Sequence, residues 1–266
     1  MKIGLIGCGN MALAIIKGMT QSGVCIKEDI LISDVSIQMR EKARQECGVC
    51  IADGNAALAK EAEIIFLTVK PGYYEPVISE IRDVINTEKL VITVAAGKTL
   101  DWLEKAFDKP VPIVRTMPNT PAMVSEGMTA ICHNEYVREE GLFYAMKLLR
   151  SFGRAELVPE QLFDAVTAVS GSSPAYVYML IEAMADAAVA EGMPRNQAYT
   201  FAAQAVYGSA KMVLETGMHP GVLKDMVCSP GGTTIEAVAA LKESGYEGSV
   251  IKAMKVCAKK SKKMSG

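Results

Sequence analysis

Short apolar runs separated by amphipathic stretches organise the first 160 residues of the chain. The runs Ile3–Ile6, Ile30–Ser33, Ile64–Val69, Leu90–Val94 and Ile113–Thr116 read as strands, with Val49–Ala52, Met128–Cys132 and Arg154–Val158 as further candidates. Between the first two runs, Met11–Gln21 is rich in Ala, Ile and Met and stops at Ser22-Gly23, the composition and end of a helix. Strand, turn, helix, strand is a βαβ unit, and its repetition predicts a parallel sheet flanked by helices. From Gln161 the pattern changes to long helical runs, roughly Pro174–Glu191, Arg195–Leu214, Gly221–Val227, Gly231–Lys242 and a last helix from Gly248. The expectation is an α/β domain over residues 1–160 followed by an all-helical domain over 161–266.

Pro174–Glu191 is apolar almost all round, with Glu182 and Asp186 as its main charges. A bundle of about a hundred residues has little room for a fully enclosed central helix, so this pattern predicts a homo-oligomer built through the helical half.

At roughly 150 residues per domain, a chain of 266 agrees with two domains. Its 22% charged residues are spread along the whole length, which excludes disorder. The longest charge-free stretch, Ala165–Ile181, is broken by Gly171, Pro174 and three serines, so no membrane helix is expected. The start MKIGLIGCGN reaches a glycine turn too soon to be a signal peptide, and a cytoplasmic location is expected. A net charge of −2 offers no field for a nucleic acid. Seven cysteines, an odd number, suit reduced thiols, and two histidines are too few for a His-rich metal centre or a histidine relay. The chemistry is therefore expected from an organic cofactor, with no metal.

Gly7-Cys8-Gly9-Asn10-Met11-Ala12 reads GxGxxA directly after a strand and at the opening of a helix, the context that a dinucleotide fingerprint requires. Gly7 allows the sharp turn, Gly9 lets a pyrophosphate approach the backbone, and Ala12 keeps the helix close to the sheet. Free N–H groups at the helix start face the phosphates. This makes the first domain Rossmann-type. Asp34 ends the second strand, where a carboxylate accepts hydrogen bonds from the adenosine ribose and favours NAD; Ser33 and Arg40 leave NADP open.

Three loops follow strands at the carboxyl edge of the sheet, where open α/β folds bind ligands. Lys70-Pro71-Gly72 offers a cation to a ribose or phosphate, although loop lysines are common. Ala95-Ala96-Gly97 and Met117-Pro118-Asn119-Thr120-Pro121 offer small or rigid residues on which a nicotinamide ring can lie. Asn55 sits where a helix N-cap is expected, which competes with a ligand role.

In the helical half, Ser229-Pro230-Gly231-Gly232-Thr233-Thr234 opens a helix with two glycines and three hydroxyls but no cation, an arrangement suited to a small anion such as a carboxylate. The competing reading is a helix cap with Ser229 as N-cap. Ser170-Gly171-Ser172-Ser173-Pro174 is another hydroxyl-rich helix start. Cys47 and Cys50 form CxxC, but the pair ends a helix and enters a strand, the reverse of the redox motif, and has no matching second pair for zinc. Lys259, Lys260, Lys262 and Lys263 read as a solvated helix end, and His219 as a loop residue or helix N-terminus.

Taken together, IGCGNMA at 6–12, TVKPG at 68–72, VAAG at 94–97, VRTMPNTPAMV at 114–124, SGSSPAYV at 170–177 and HPGVLKDMVCSPGGTT at 219–234 resemble the pyrroline-5-carboxylate reductase family along nearly the whole chain. The resemblance implies NAD(P)H-dependent reduction of 1-pyrroline-5-carboxylate to proline. It implies that Gly7, Cys8, Gly9, Asn10 and Met11 hold the pyrophosphate and that Ser33 and Asp34 lie on the adenosine side. Asn55 and Lys70, with the neighbouring Val69 and Pro71, would meet the ribose and phosphates, and Ala95, Ala96 and Asn119 the nicotinamide end. Ser229, Gly232, Thr233 and Thr234 would bind the substrate carboxylate, Thr234 would meet the ring nitrogen as the catalytic hydroxyl, and Glu160, near the pocket, would join the substrate-binding residues. The helical domains would pair into intertwined dimers, often assembled further. Relatives commonly carry glycine where this chain has Ala12. Two other readings are a β-hydroxyacid dehydrogenase-like enzyme, which needs a catalytic lysine where only Lys211 is available, and a non-catalytic nucleotide sensor.

Overall fold

A computed structural model describes residues 1–94 and 96–265, so Ala95 lies outside the described residues. Eight strands form one sheet: β1 (Ile3–Ile6), β2 (Ile30–Ser33), β3 (Cys50–Ile51), β4 (Ile64–Leu67), β5 (Leu90–Thr93), β6 (Ile113–Met117), β7 (Gly127–His133) and β8 (Gly153–Leu157), in the order β3-β2-β1-β4-β5-β6-β7-β8. The order reverses beside β1, which places the carboxyl ends of β1 and β4 at the topological switch point of a Rossmann-type sheet.

The continuous apolar runs follow from burial on both faces. Ile3, Leu5, Ile64, Phe66, Leu90 and Ile92 point into one core, with α1 (Asn10–Gln21) and α6 (Glu139–Leu149) above it. The alternate residues Ile6, Ile65, Leu67 and Val91 point into the other, beneath α3 (Asn55–Glu61), α4 (Tyr74–Ile81) and α5 (Leu100–Phe107). Beside α1 and β3, α2 (Ile37–Cys47) buries only Ala43.

The sheet is parallel except that β7 runs antiparallel to β6, with β8 parallel to β7. The connection 118–126 between β6 and β7 holds only a short 3₁₀ turn, Thr120–Val124. A parallel crossover needs about a dozen residues or more, so this chain turns back on itself. Between β7 and β8, α6 supplies such a crossover.

The chain divides into two compact units: Met1–Ser172 together with the residues from Cys257 onward, and Ser173–Val256. The segment just beyond residue 160 packs on the sheet. Phe163, which opens the short helix α7 (Phe163–Val166), buries against Ala130 and Cys132, with Val158 and Val166 alongside. A five-residue π-helical turn, Thr167–Gly171, follows. The end of the last helix also belongs to the first unit, where Ser261 Oγ donates to Asp164 Oδ1 at 2.6 Å.

The second unit holds α8 (Ser173–Ala190), α9 (Arg195–Thr216), α10 (Pro220–Val227), α11 (Thr233–Glu243) and the first part of α12 (Tyr246–Ser265). In α8 only Ala185 is buried, while Tyr178 and Met179 stand exposed. The neighbouring α9 buries Ala198 and Ala202 and exposes Tyr199, Phe201 and Tyr207. One chain leaves the apolar surface of both helices largely uncovered. None of the helices among the described residues is long and apolar enough to cross a membrane.

Candidate functional site: a dinucleotide groove and an open helix start

The turn after β1 sits over the switch point. Gly7 has φ +102°, and a Cβ there would stand 2.9 Å from the backbone of Thr68 and Val69, so only glycine fits. Its N–H donates to the Ser33 carbonyl at 2.7 Å, fastening the turn to the end of β2. Thr68 Oγ1 donates to the Ile6 and Gly7 carbonyls and fastens it from β4. A Cβ at Gly9, in contrast, would meet nothing within 4 Å. Gly9 is also the N-cap of α1, and no side chain caps that helix, so its first N–H groups open onto free space.

Asp34 completes this corner. Its Oδ2 accepts the Cys8 N–H at 2.7 Å and its Oδ1 accepts the Ser36 N–H at 2.8 Å. The Cys8 side chain turns into the core, where burial and then the neighbouring Asp34 charge push its thiol up to about 12. Cys8 therefore contributes its backbone to the turn, not a reactive sulfur.

Gly7, Gly9, Asp34, Asn55, Val69 and Lys70 line one groove of about 280 Å³. Thr68, the first residue of the 68–72 motif, lines it too, as do Val35, Met39, Tyr73 and Val77, which no local motif marked. Asn10 and Met11 are the first two residues of α1, beside Gly9. Pro71 opens the 3₁₀ turn Pro71–Tyr73 after Lys70. Ser33 is buried and does not line the groove. Asn55 is not an N-cap: Gly54 holds that position, and the Asn55 amide donates to Glu80 Oε2 at 2.7 Å. The open position at Gly9, the uncapped helix and the groove beside Asp34 together fit a dinucleotide.

On the far side of β4, the Tyr74 hydroxyl donates to the Leu67 carbonyl and accepts the Val94 N–H, holding the ends of β4 and β5 together. Ala96 follows in a half-buried turn. Asn119 is nine-tenths buried, and its side chain is committed at both ends: Nδ2 donates to the Ser170 carbonyl at 3.0 Å and Oδ1 accepts the Met128 N–H at 2.8 Å. It ties the loop after β6 to the π-helical turn. Glu160 Oε1 accepts from Arg115 at 2.6 Å and from the Leu100 N–H at 2.8 Å. Arg115 is buried and also covers the Phe163 ring at 4.4 Å. This carboxylate anchors the start of α5, immediately after the Ala96 turn.

In the second unit, Ser229–Gly232 forms a tight turn in which the Gly232 N–H donates to the Ser229 carbonyl at 3.0 Å. Pro230 and Gly231, the latter with φ +66°, occupy the positions that a type II turn assigns to proline and glycine. The N-cap of α11 is Gly232, not Ser229, and no side chain caps the helix. Thr233 and Thr234 are its first two residues. Ser229 Oγ lies 2.4 Å from where a Cβ at Gly232 would stand, so any side chain there displaces the hydroxyl. Elsewhere Ser36, Thr99 and His219 cap α2, α5 and α10 with their own side chains. Lys211, which a hydroxyacid dehydrogenase reading would need, lies exposed on α9 and pairs with Glu215 at 3.5 Å.

The fold and the glycine turn define an NAD(P)-dependent oxidoreductase with a helical second domain. Residues 2–97 match the family described as NADP oxidoreductase, coenzyme F420-dependent, and residues 160–264 match pyrroline-5-carboxylate reductase dimerisation. The chain is 52% identical to pyrroline-5-carboxylate reductase of Escherichia coli strain K12 over 264 residues, covering 99% of this chain and 98% of that protein. The solved pyrroline-5-carboxylate reductase of Coxiella burnetii superposes with a TM-score of 0.92 at 33% identity, covering 100% of this chain and 98% of that one. The enzyme of Plasmodium falciparum, solved with NADP bound, superposes with a TM-score of 0.91 at 30% identity and the same coverage. The chain belongs to the pyrroline-5-carboxylate reductase family.

Proposed function

We propose that this chain reduces 1-pyrroline-5-carboxylate to L-proline, the last step of proline biosynthesis. The observation that carries this reading beyond a generic oxidoreductase is the uncapped start of α11, with Ser229, Thr233 and Thr234 beside it and no cation in the motif. Such a start holds a small carboxylate by backbone N–H groups and hydroxyls. The 52% identity to the Escherichia coli enzyme over nearly the full chain supports it.

In this reading the Gly7–Met11 turn holds the pyrophosphate on the N–H groups of α1. Asp34 faces the adenosine ribose, with Asn55, Val69, Lys70 and Pro71 along the phosphates. Ala96 shapes the nicotinamide end, and Asn119 keeps the neighbouring loop in place through its two committed hydrogen bonds. When bound, the reduced dinucleotide supplies a hydride to the imine carbon. Ser229, Gly232 and Thr233 fix the substrate carboxylate and thereby the orientation of the ring. The Thr234 hydroxyl holds the proton on the ring nitrogen, so that the protonated imine is the electrophile. Glu160, spent on Arg115 and Leu100, acts from behind the nicotinamide turn instead of on the substrate.

The working form is a homodimer joined through the helical unit, with further assembly of dimers, in the cytoplasm. The exposed apolar side chains of α8 and α9 support the pairing.

Oxidation of a reduced dinucleotide in the presence of pyrroline-5-carboxylate tests the activity directly, and its absence with both NADH and NADPH overturns it. Thr234→Ala is expected to lower kcat by about tenfold to a hundredfold while the Kd for dinucleotide stays within about twofold. An unchanged kcat removes Thr234 from its role.

A further inference from the structure

We infer that Asp34 makes this chain selective for NADH over NADPH. The inference rests on the dinucleotide reading of the groove. Asp34 lines the groove and is clamped by two backbone donors, Cys8 N–H and Ser36 N–H, from opposite sides of the corner. A carboxylate held this way cannot swing aside to admit another anion. Its remaining lone pairs are acceptors, which suit the two hydroxyls of an unmodified ribose. A 2′-phosphate brings charge of like sign and acceptors only, so it meets repulsion and finds no donor on Asp34.

The surroundings supply little to offset this. Val35, the next residue, is 95% exposed and apolar. The Ser36 hydroxyl accepts the Met39 N–H as the N-cap of α2, and Ser33 is buried. Lys70 also lines the groove, but it follows β4, on the opposite side of β1 from β2 and Asp34. The cation to be weighed on the Asp34 side is Arg40, in the first turns of α2, which makes no ion pair among the described residues and whose charge reaches Cys8 in the same corner. If Arg40 captured a 2′-phosphate, the preference would reverse, and this is the outcome that the experiment must separate.

The sequence has one tryptophan, Trp102, so any energy transfer to bound reduced nicotinamide is read from a single donor. Equilibrium titration of the full chain with NADH and with NADPH, read by that transfer, gives two dissociation constants without turnover. The expected result is that NADH binds at least tenfold tighter. Asp34→Asn and Asp34→Ser are expected to weaken NADH and to bring the NADPH/NADH ratio to unity or past it, whereas Arg40→Ala leaves the wild-type preference for NADH in place. Tighter or equal binding of NADPH by the wild type overturns the inference, as does a ratio unmoved by both Asp34 substitutions. Because the wild-type ratio can overturn the inference without any variant, an Asp34 variant that fails to fold does not shelter the proposal. Failure to bind either dinucleotide would instead overturn the cofactor reading beneath it.

Discussion

At Gly7 and Gly9 two glycines two positions apart do different work. Gly7 has φ +102° and backbone atoms 2.9 Å from any Cβ, so Gly7→Ala is expected to cost roughly 2 kcal/mol or more in denaturant unfolding. Gly9 is extended, with open space around it, so Gly9→Val is expected to stay within about 1 kcal/mol of wild-type stability, the cost of a poorer cap. The same Gly9 variant is expected to weaken dinucleotide binding at least tenfold in the Trp102 titration, because its side chain occupies the approach to α1. Equal effects of the two substitutions on stability would contradict the division of roles. These residues were legible in the sequence because their chemistry is local: a strand, a turn and a helix start within ten residues. Tyr73 and Val77 were not, since they join the groove only through the pairing of β4 with β1.

Elements show the same boundary between local and distant information. The apolar runs located the central strands to within two residues, because a strand buried on both faces must be apolar throughout. Strand direction carries no such signature, and β7 reads the same in either sense; its reversal follows from the short connection 118–126. The helical run beyond Gln161 was visible as periodicity, but periodicity does not say what a helix packs on, and Phe163 chose the sheet. The Arg115–Glu160 pair spans 45 residues of sequence and was equally hidden. Glu160 is partly exposed, but its removal leaves the buried Arg115 charge uncompensated. Glu160→Ala is accordingly expected to cost about 3 kcal/mol and to raise the KM for dinucleotide more than the KM for substrate, through a loosened start of α5. Steady-state kinetics with both ligands varied, beside a denaturation curve, check this; a raised substrate KM alone would return Glu160 to the substrate.

For the whole molecule, the unevenness of the two units matters most. The first has two packed layers of core around its sheet, whereas the second buries only alanines in α8 and α9 and exposes Met179 at 68% and Phe201 at 62%. Sedimentation is expected to show a dimer or larger species. Met179→Asp and Phe201→Asp are each expected to raise its dissociation constant about thirtyfold, as loss of a central apolar contact does; a monomeric wild type would contradict this. That uncovered pair of helices also means that dilution works as a denaturant. The second unit of a lone copy is accordingly expected to be the less stable, so the usable fraction of this catalyst is expected to rise with the concentration of chains.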